Sequence, residues 1–99
     1  MNEQKLSGML GLAVRARQAA AGMDACRILI RSGKCGVMLV DGDAAANTLK
    51  KAKNLCVRTQ TDMMILPTGL IEKATGKSNM VIAVQKGSFA EQLLKIEQG

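Results

Sequence analysis

The sequence predicts a three-layer α/β/α sandwich around a mixed, mostly parallel sheet of about four strands. Segments in which apolar residues recur at helical spacing alternate with short, continuous apolar runs from end to end. No linker, repeat or low-complexity segment interrupts this alternation. Because helices intervene between successive strands, parallel neighbours should dominate the sheet. At 99 residues the chain has the size of one domain, so residues 1–99 are expected to fold as a single unit.

The first third of the chain contains two predicted helices and a very short strand. Asn2 can cap an amphipathic helix over residues 3–15. Ala19–Ala21 is a candidate strand of three residues. Gly22 then opens a second helix, and Gly33 is placed to end it.

The remaining predicted elements continue the alternation of strands and helices. Val37–Val40 is an apolar run typical of a strand covered on both faces, and Asp43 can cap the helix that follows it. The later elements are a strand at Met63–Leu66, a short helix capped by Thr68 and ended by Gly76, a strand at Met80–Val84, and a last helix opened by the capping-box spacing of Ser88 and Glu91.

The net charge of +6 is unevenly distributed. Residues 1–58 contain ten Lys or Arg and four Asp or Glu, and that difference of +6 equals the charge of the whole chain. A basic excess confined to one part of a domain indicates a polyanionic partner. The alternative is a solvated surface that only keeps the protein in solution.

Residue types that are scarce restrict the function further. The chain has no histidine and three cysteines without CxxC spacing, so we expect no metal, no cofactor and no disulfide framework. Phe89 is the only aromatic residue and has the spacing of a helix core position, so stacking of unpaired bases on aromatic rings is not expected. No apolar run approaches the length of a membrane span, and a cytoplasmic protein is expected.

Candidate catalytic groups are few. An enzyme would depend on Asp24, Asp41 or Asp43, and Asp41 follows a strand at the edge where α/β proteins often place their sites. One carboxylate at that edge, without a base or a phosphate-binding loop, is a weak pattern. We therefore predict a protein without enzymatic activity.

The start of the Gly22 helix is the most informative local feature. The first backbone N–H groups of a helix lack helical acceptors and carry the positive end of its dipole. They form an anion site, and a glycine there lets a nucleic acid backbone approach closely.

These segments together resemble the L-seven-Ae / L-thirty-e ribosomal protein family, and most closely its bacterial YlxQ-like branch. The resemblance rests on Gly11–Arg17, Ala21–Gly22, Ile30–Lys34, Val37–Val40 and Asp43–Lys51. It continues through Ile71–Gly76, Val81–Val84 and Gly87–Ala90, and so covers nearly the whole chain.

The resemblance implies the sandwich predicted above and RNA binding without chemistry. Members of this family bind RNA kink-turns or related internal loops through the start of the helix matching Gly22–Gly33, with a loop matching Gly76–Asn79 beside it. Kink-turn binders usually carry polar residues where this chain has Met23, Asp24, Ala25 and Ile28.

The expected site combines this implication with the basic residues. The site residues are Arg15, Arg17 and Arg27 around the Gly22 amides, Met23 and Asp24 in the first turn, Lys50 and Lys51 on the neighbouring helix that also carries Lys53, and Lys77 with Ser78 in the loop. The three helix lysines cannot all face one way. We expect a ribosome- or rRNA-associated protein that recognises structured RNA mainly through its backbone. The alternatives are a protein-interaction module on the same fold and, less favoured, a small-molecule enzyme.

Overall fold

The computed structural model describes residues 2–98 and contains five helices and four strands in strict alternation. Helices and strands follow each other in the order α1 (Glu3–Arg15), β1 (Ala19–Ala21), α2 (Met23–Arg31), β2 (Cys35–Asp41), α3 (Ala46–Thr59), β3 (Asp62–Leu66), α4 (Leu70–Thr75), β4 (Val81–Gln85) and α5 (Ser88–Gln98). Every predicted element is present. In the described part of the chain, no helix is both long and apolar enough to cross a membrane.

The sheet has the strand order β1-β4-β2-β3 and lies between two helical layers. Alternate residues of β2 point to opposite layers, since Val37 and Leu39 join the core of α1, α4 and α5, whereas Met38 and Val40 join the core of α2 and α3. All four are fully buried. Burial on both faces explains why this strand is a continuous apolar run, and the three-layer fold class is confirmed.

The expected majority of parallel strand pairs is wrong. Only β2 and β3 are parallel, whereas β4 pairs antiparallel with both β1 and β2. The chain leaves β3 at Leu66 and enters β4 at Val81, which pairs with Val40 near the end of β2. It therefore returns along the sheet in the opposite direction, and α4 with its flanking loops spans one end of the sheet without crossing back.

The helix ends follow backbone constraints more than side-chain caps. Asn2 caps α1 as predicted, because its side chain accepts from the Lys5 N–H at 3.1 Å. Gly33 ends α2 in a left-handed conformation, and the N–H of Lys34 donates back to Leu29 as in a Schellman motif. Arg17 ends α1 with the same left-handed geometry, at φ 59°.

Three predicted caps are wrong. Helix α3 begins at Ala46 without a side-chain cap, because Asp43 is held in the turn before it. Helix α4 has Gly69 at its N-cap, because Thr68 lies in a turn closed by the bond from the Leu70 N–H to the Pro67 carbonyl. Ser88 lies inside α5, and Glu91 donates its N–H to the carbonyl of Gly87.

The three cysteines are buried free thiols that lie in one core cluster beneath α2 and α3. Burial is the main cause that raises the pKa of Cys26 to about 12 and that of Cys35 to about 11. Cys26 is fully buried and its thiol contacts the Ala20 carbonyl at 3.5 Å. Such thiols stay protonated in the folded protein and are poor nucleophiles.

Cys26 should therefore weaken the fold at alkaline pH. The unfolded thiol loses its proton above pH 9, whereas the folded one keeps it to about pH 12, so stability falls between these values. The slope from this thiol approaches about 1.4 kcal/mol per pH unit. Urea unfolding of the wild type and of Cys26→Ala at pH 7 and between pH 9 and 10.5 measures it. The cavity in Cys26→Ala lowers stability at every pH, but its alkaline decline should be shallower; parallel declines would contradict the assignment.

Candidate RNA interface

The start of α2 lies at the end of the sheet that we call the upper edge, where Ala21, Val81 and Val40 stand on adjacent strands. Gly22 is the N-cap, at φ 93°, a conformation that favours glycine. Its own N–H donates to the Val81 carbonyl at 3.0 Å, and its carbonyl accepts the first helical bond from Cys26. The amides of Met23, Asp24 and Ala25 therefore precede the first intrahelical bond and have no side-chain cap.

The loop between α4 and β4 lies next to this helix start. The Gly22–Val81 bond joins the two, and the N–H of Asp41 donates to the Met80 carbonyl at 2.8 Å from the other side. Within the loop, the Thr75 hydroxyl accepts from the N–H of Lys77 at 3.2 Å. Lys77 and Ser78 are exposed. The structure thus brings the predicted loop and the predicted helix start together.

The outer face of α2 carries one ion pair and one exposed apolar residue. Arg27 Nη1 lies 3.5 Å from Asp24 Oδ1, and the Asp24 side chain is 97% exposed. This exposed pair is weak and is screened by salt. Ile28 is 71% exposed one turn further along, whereas Met23 packs against the core. The first turn therefore presents backbone amides and one carboxylate rather than several polar side chains.

A groove of about 490 Å³ runs between α2 and α3. The two helices are parallel, since both begin at the upper edge and end at the opposite edge of the sheet. Arg27 lines it from α2, and Lys51, Lys53, Asn54 and Arg58 line it from α3. Two of the three lysines named on α3 therefore share this groove, and Lys50 lies outside its lining. The groove extends the positive surface from the upper edge down the molecule.

Two residues of this surface were missed from the sequence. Arg58 follows Lys51 by seven residues, and that two-turn spacing on one helix face could have identified it. Met80 was expected inside β4, but it precedes the strand and its side chain is 38% exposed beside the loop. No local pattern shows that one residue of an apolar run lies outside the sheet.

Arg15 and Arg17 do not surround the Gly22 amides, and that expectation is wrong. Arg15 is the last residue of α1 and Arg17 follows it, so both lie at the end of β1 that is opposite Gly22. At that end, the carbonyl of Gln18 accepts from the Gln85 N–H at 2.8 Å. Gly22 is five positions after Arg17 along largely extended chain, a separation on the order of 16 Å. A strand between two residues moves them apart by its full length, and sequence proximity concealed this.

Asp41 has a structural role at the upper edge, where its side chain joins two turns. It is buried, at 4% exposure, and its two carboxylate oxygens accept different backbone hydrogen bonds. Oδ1 accepts from the Asp43 N–H at 2.8 Å, and Oδ2 accepts from the Gly69 N–H at 3.0 Å. The carboxylate therefore ties the end of β2 to the turn before α4, while Asp43 itself is exposed.

Replacing Asp41 should cost stability, whereas replacing Asp43 should not. In Asp41→Asn, an NH₂ group replaces one of the two carboxylate oxygens, so one of the two backbone N–H donors loses its acceptor. We expect this to lower the free energy of unfolding by about 1–3 kcal/mol. Asp43→Asn changes an exposed side chain and should stay within about 0.5 kcal/mol of wild type. Chemical denaturation of both variants tests this, and equal stabilities would show that the two hydrogen bonds to the Asp41 carboxylate contribute nothing to stability.

Comparison with known proteins agrees with this architecture. No family model matches the chain. The chain is 30% identical over 90 residues to the RNA-binding protein YlxQ of Bacillus subtilis strain 168, covering 89% of this chain and 90% of that protein. It is 27% identical over 99 residues to the RNA-binding protein YlxQ of Enterococcus faecium, covering 99% and 96%.

Solved structures show the same fold. A protein of unknown function from Bacillus halodurans superposes with a TM-score of 0.90 at 27% identity, covering 96% of this chain and 98% of that one. The 15.5 kDa RNA-binding protein of Giardia lamblia superposes with a TM-score of 0.74 over 96% and 87%, and at 13% identity it supports the fold alone.

The strand order and the two helical layers define the class of mixed α/β/α sandwiches, a fold shared with both solved structures. Within that class, the similarity to the Bacillus subtilis protein extends over about nine-tenths of both chains. The chain belongs to the YlxQ family.

Proposed function

We propose that this protein binds structured RNA of the kink-turn kind, within ribosomal RNA, through the upper edge and without catalysis. The observation that carries the proposal is the Gly22–Val81 hydrogen bond, which holds an uncapped helix start beside the Lys77–Ser78 loop. Two curated relatives are named RNA-binding proteins, which supports RNA as the partner.

Recognition at this site acts mainly through phosphates. The amides of Met23, Asp24 and Ala25 donate toward one anion, favoured by the positive end of the α2 dipole. Lys77 flanks that position from the loop, and Arg27 with the basic groove extends the contact along α2 and α3. Since Phe89 is partly buried in the core, bases are not stacked on an aromatic ring.

Asp24 tunes this site in two opposed ways. Its exposed carboxylate can accept hydrogen bonds from the N1–H and N2–H of a guanine, but it repels phosphates and partly neutralises Arg27. In the absence of a guanine at that position, the carboxylate lowers affinity. A substitution of Asp24 therefore distinguishes recognition of a guanine base from binding of the RNA backbone.

The two members of the Arg27–Asp24 pair should affect RNA binding in opposite directions. On a kink-turn hairpin, log K should fall with log salt at a slope of roughly −2 to −5 if about 3–5 phosphates are neutralised. Arg27→Ala should weaken binding and reduce that slope by about one. Asp24→Asn should tighten binding by up to about fivefold, the effect of removing one exposed charge. Fluorescence anisotropy across a salt series measures all three.

Lys95→Ala is the matched control, since Lys95 is an exposed cation on α5 in the opposite helical layer. It removes the same charge as Arg27→Ala and should leave affinity nearly unchanged. Equal losses from the two variants would show that net charge, and not this surface, determines binding. A salt-independent affinity would contradict a backbone-dominated site, and loss of affinity in Asp24→Asn would show base recognition instead.

A protein-interaction module is the alternative function, and exposed Ile28 favours it. An apolar side chain 71% exposed on α2 occupies a position where kink-turn binders usually carry a polar residue. If this function holds, one protein should copurify in stoichiometric amount from nuclease-treated lysate. Ile28→Ser should then abolish that association and leave hairpin affinity unchanged.

The enzyme alternative has little structural support. Both oxygens of Asp41 are occupied by backbone donors, and Asp43 is exposed in the turn. In the described part of the chain, no group of three or more His, Cys, Asp and Glu residues could hold a metal ion. We therefore propose a binding function without a cofactor.

A further inference from the structure

A second basic surface lies at the opposite end of the sheet, which we call the lower edge. It is formed by three loops at the ends of adjacent strands: residues 16–18 before β1, residues 32–34 before β2, and residues 86–87 after β4. Each loop carries one exposed cation, namely Arg17, Lys34 and Lys86.

Backbone hydrogen bonds hold these loops together. The Lys86 N–H donates to the Lys34 carbonyl at 2.8 Å, and the Gln85 N–H donates to the Gln18 carbonyl at 2.8 Å. Adjacent strands are about 4.8 Å apart, so the backbone positions of the three cationic residues span roughly 10 Å. The surface is thus compact and is set by the same central strand, β4, that positions the upper edge.

The charge of the lower edge is compensated only in part, on the side of β3. Among the described residues, none of Arg17, Lys34 and Lys86 forms an ion pair. Asp62 and Glu91 line a cavity with Lys86 on the β3 side, so the unopposed positive surface extends the other way, toward β1. Exposed Arg15 and Arg31 flank it at the ends of α1 and α2.

Helix stabilisation explains only part of this clustering. A cation in the last turn of a helix is favourable, which accounts for Arg15 and Arg31. Lys86 instead lies just before α5, where a cation opposes the helix dipole. Arg17 occupies a left-handed conformation that costs a non-glycine residue about 1–2 kcal/mol. Arg17 and Lys34 closely follow the C-terminal caps of α1 and α2, where the helix dipoles favour a cation, so Lys86 is the member of the cluster that helix stability does not explain.

The surface suits phosphates better than a protein partner. Five large apolar side chains are exposed in the described structure, and none belongs to the three lower-edge loops. Protein interfaces are organised around a desolvated apolar or aromatic centre, which this surface lacks. Sugar–phosphate contacts need only positive and polar groups.

We infer that the lower edge binds the backbone of a second RNA segment, so that one protein molecule bridges two segments about 20 Å apart. That distance is the length of β2, which runs from one edge to the other. The inference rests on the proposed function in taking RNA as the partner, and it adds a separate surface with its own variants.

The test uses a donor-labelled kink-turn hairpin and an acceptor-labelled plain RNA duplex of about twenty base pairs, mixed with the full chain. Energy transfer between the two RNAs reports bridging, and anisotropy of the hairpin alone reports the upper edge. The lower-edge variant is Arg17→Gly with Lys34→Gln and Lys86→Gln, in which glycine retains the left-handed backbone. The matched control is Lys5→Gln with Lys73→Gln and Lys95→Gln, three exposed lysines elsewhere that remove the same charge.

The wild type and the control should bridge, whereas the lower-edge variant should lose energy transfer and bind the hairpin within twofold of wild type. With three phosphates neutralised, duplex capture should weaken about twentyfold between 50 and 150 mM salt. Thermal unfolding verifies that all variants are folded.

Each other outcome would overturn the inference in a distinguishable way. Hairpin binding without bridging by the wild type, or equal bridging by the lower-edge variant and the control, would remove the second surface and leave the proposed function intact. No binding of either RNA would reject both proposals. Poly-glutamate serves as a probe for an acidic protein partner. If the wild type captures no duplex but binds poly-glutamate, and the lower-edge variant does not bind it, the surface would be assigned to a protein.

Discussion

Strand β4 lies antiparallel between β1 and β2, and most of the functional geometry depends on its position. Two of its boundary residues accept the hydrogen bonds that assemble the upper edge, with Val81 bound to Gly22 and Met80 bound to Asp41. At its other end, Gln85 and Lys86 donate to the loops that carry Arg17 and Lys34. One five-residue strand therefore determines which loops meet at each end of the molecule.

The upper edge is built from backbone groups, and a buried carboxylate ties two of its turns together. Asp41 places both oxygens on backbone donors of two turns, and so fixes the end of β2 relative to the start of α4. Gly22 reaches a backbone conformation that disfavours other residues and leaves the first amides of α2 uncapped. A site made of amides and flanking cations suits a phosphate backbone and tolerates changes in the side chains of the first turn.

The composition of the site departs from a polar recognition surface, and the structure shows where each departure lies. Met23 contributes to the core beneath α2, while Ile28 is exposed on its outer face. Asp24 pairs with Arg27 and so reduces the positive charge nearest the helix start. The groove with Lys51 and Arg58 adds positive charge at a distance from that carboxylate.

The sequence by itself determined the elements, their order and the layered fold, because periodicity reports which face of each segment is buried. Val37–Val40, the Gly22–Gly33 frame and the Asn2 cap were predictable, since each depends on a few neighbouring residues. The direction of β4 was not predictable in this way, because the connection from β3 to β4 is long enough for either direction. Only the tertiary structure decided which residues share a surface: Arg17 is five residues from Gly22 yet lies at the opposite edge, whereas Val81 is fifty-nine residues away and contacts it. Strands separate chain neighbours by their length, and hydrogen bonds between strands join residues that no local pattern relates.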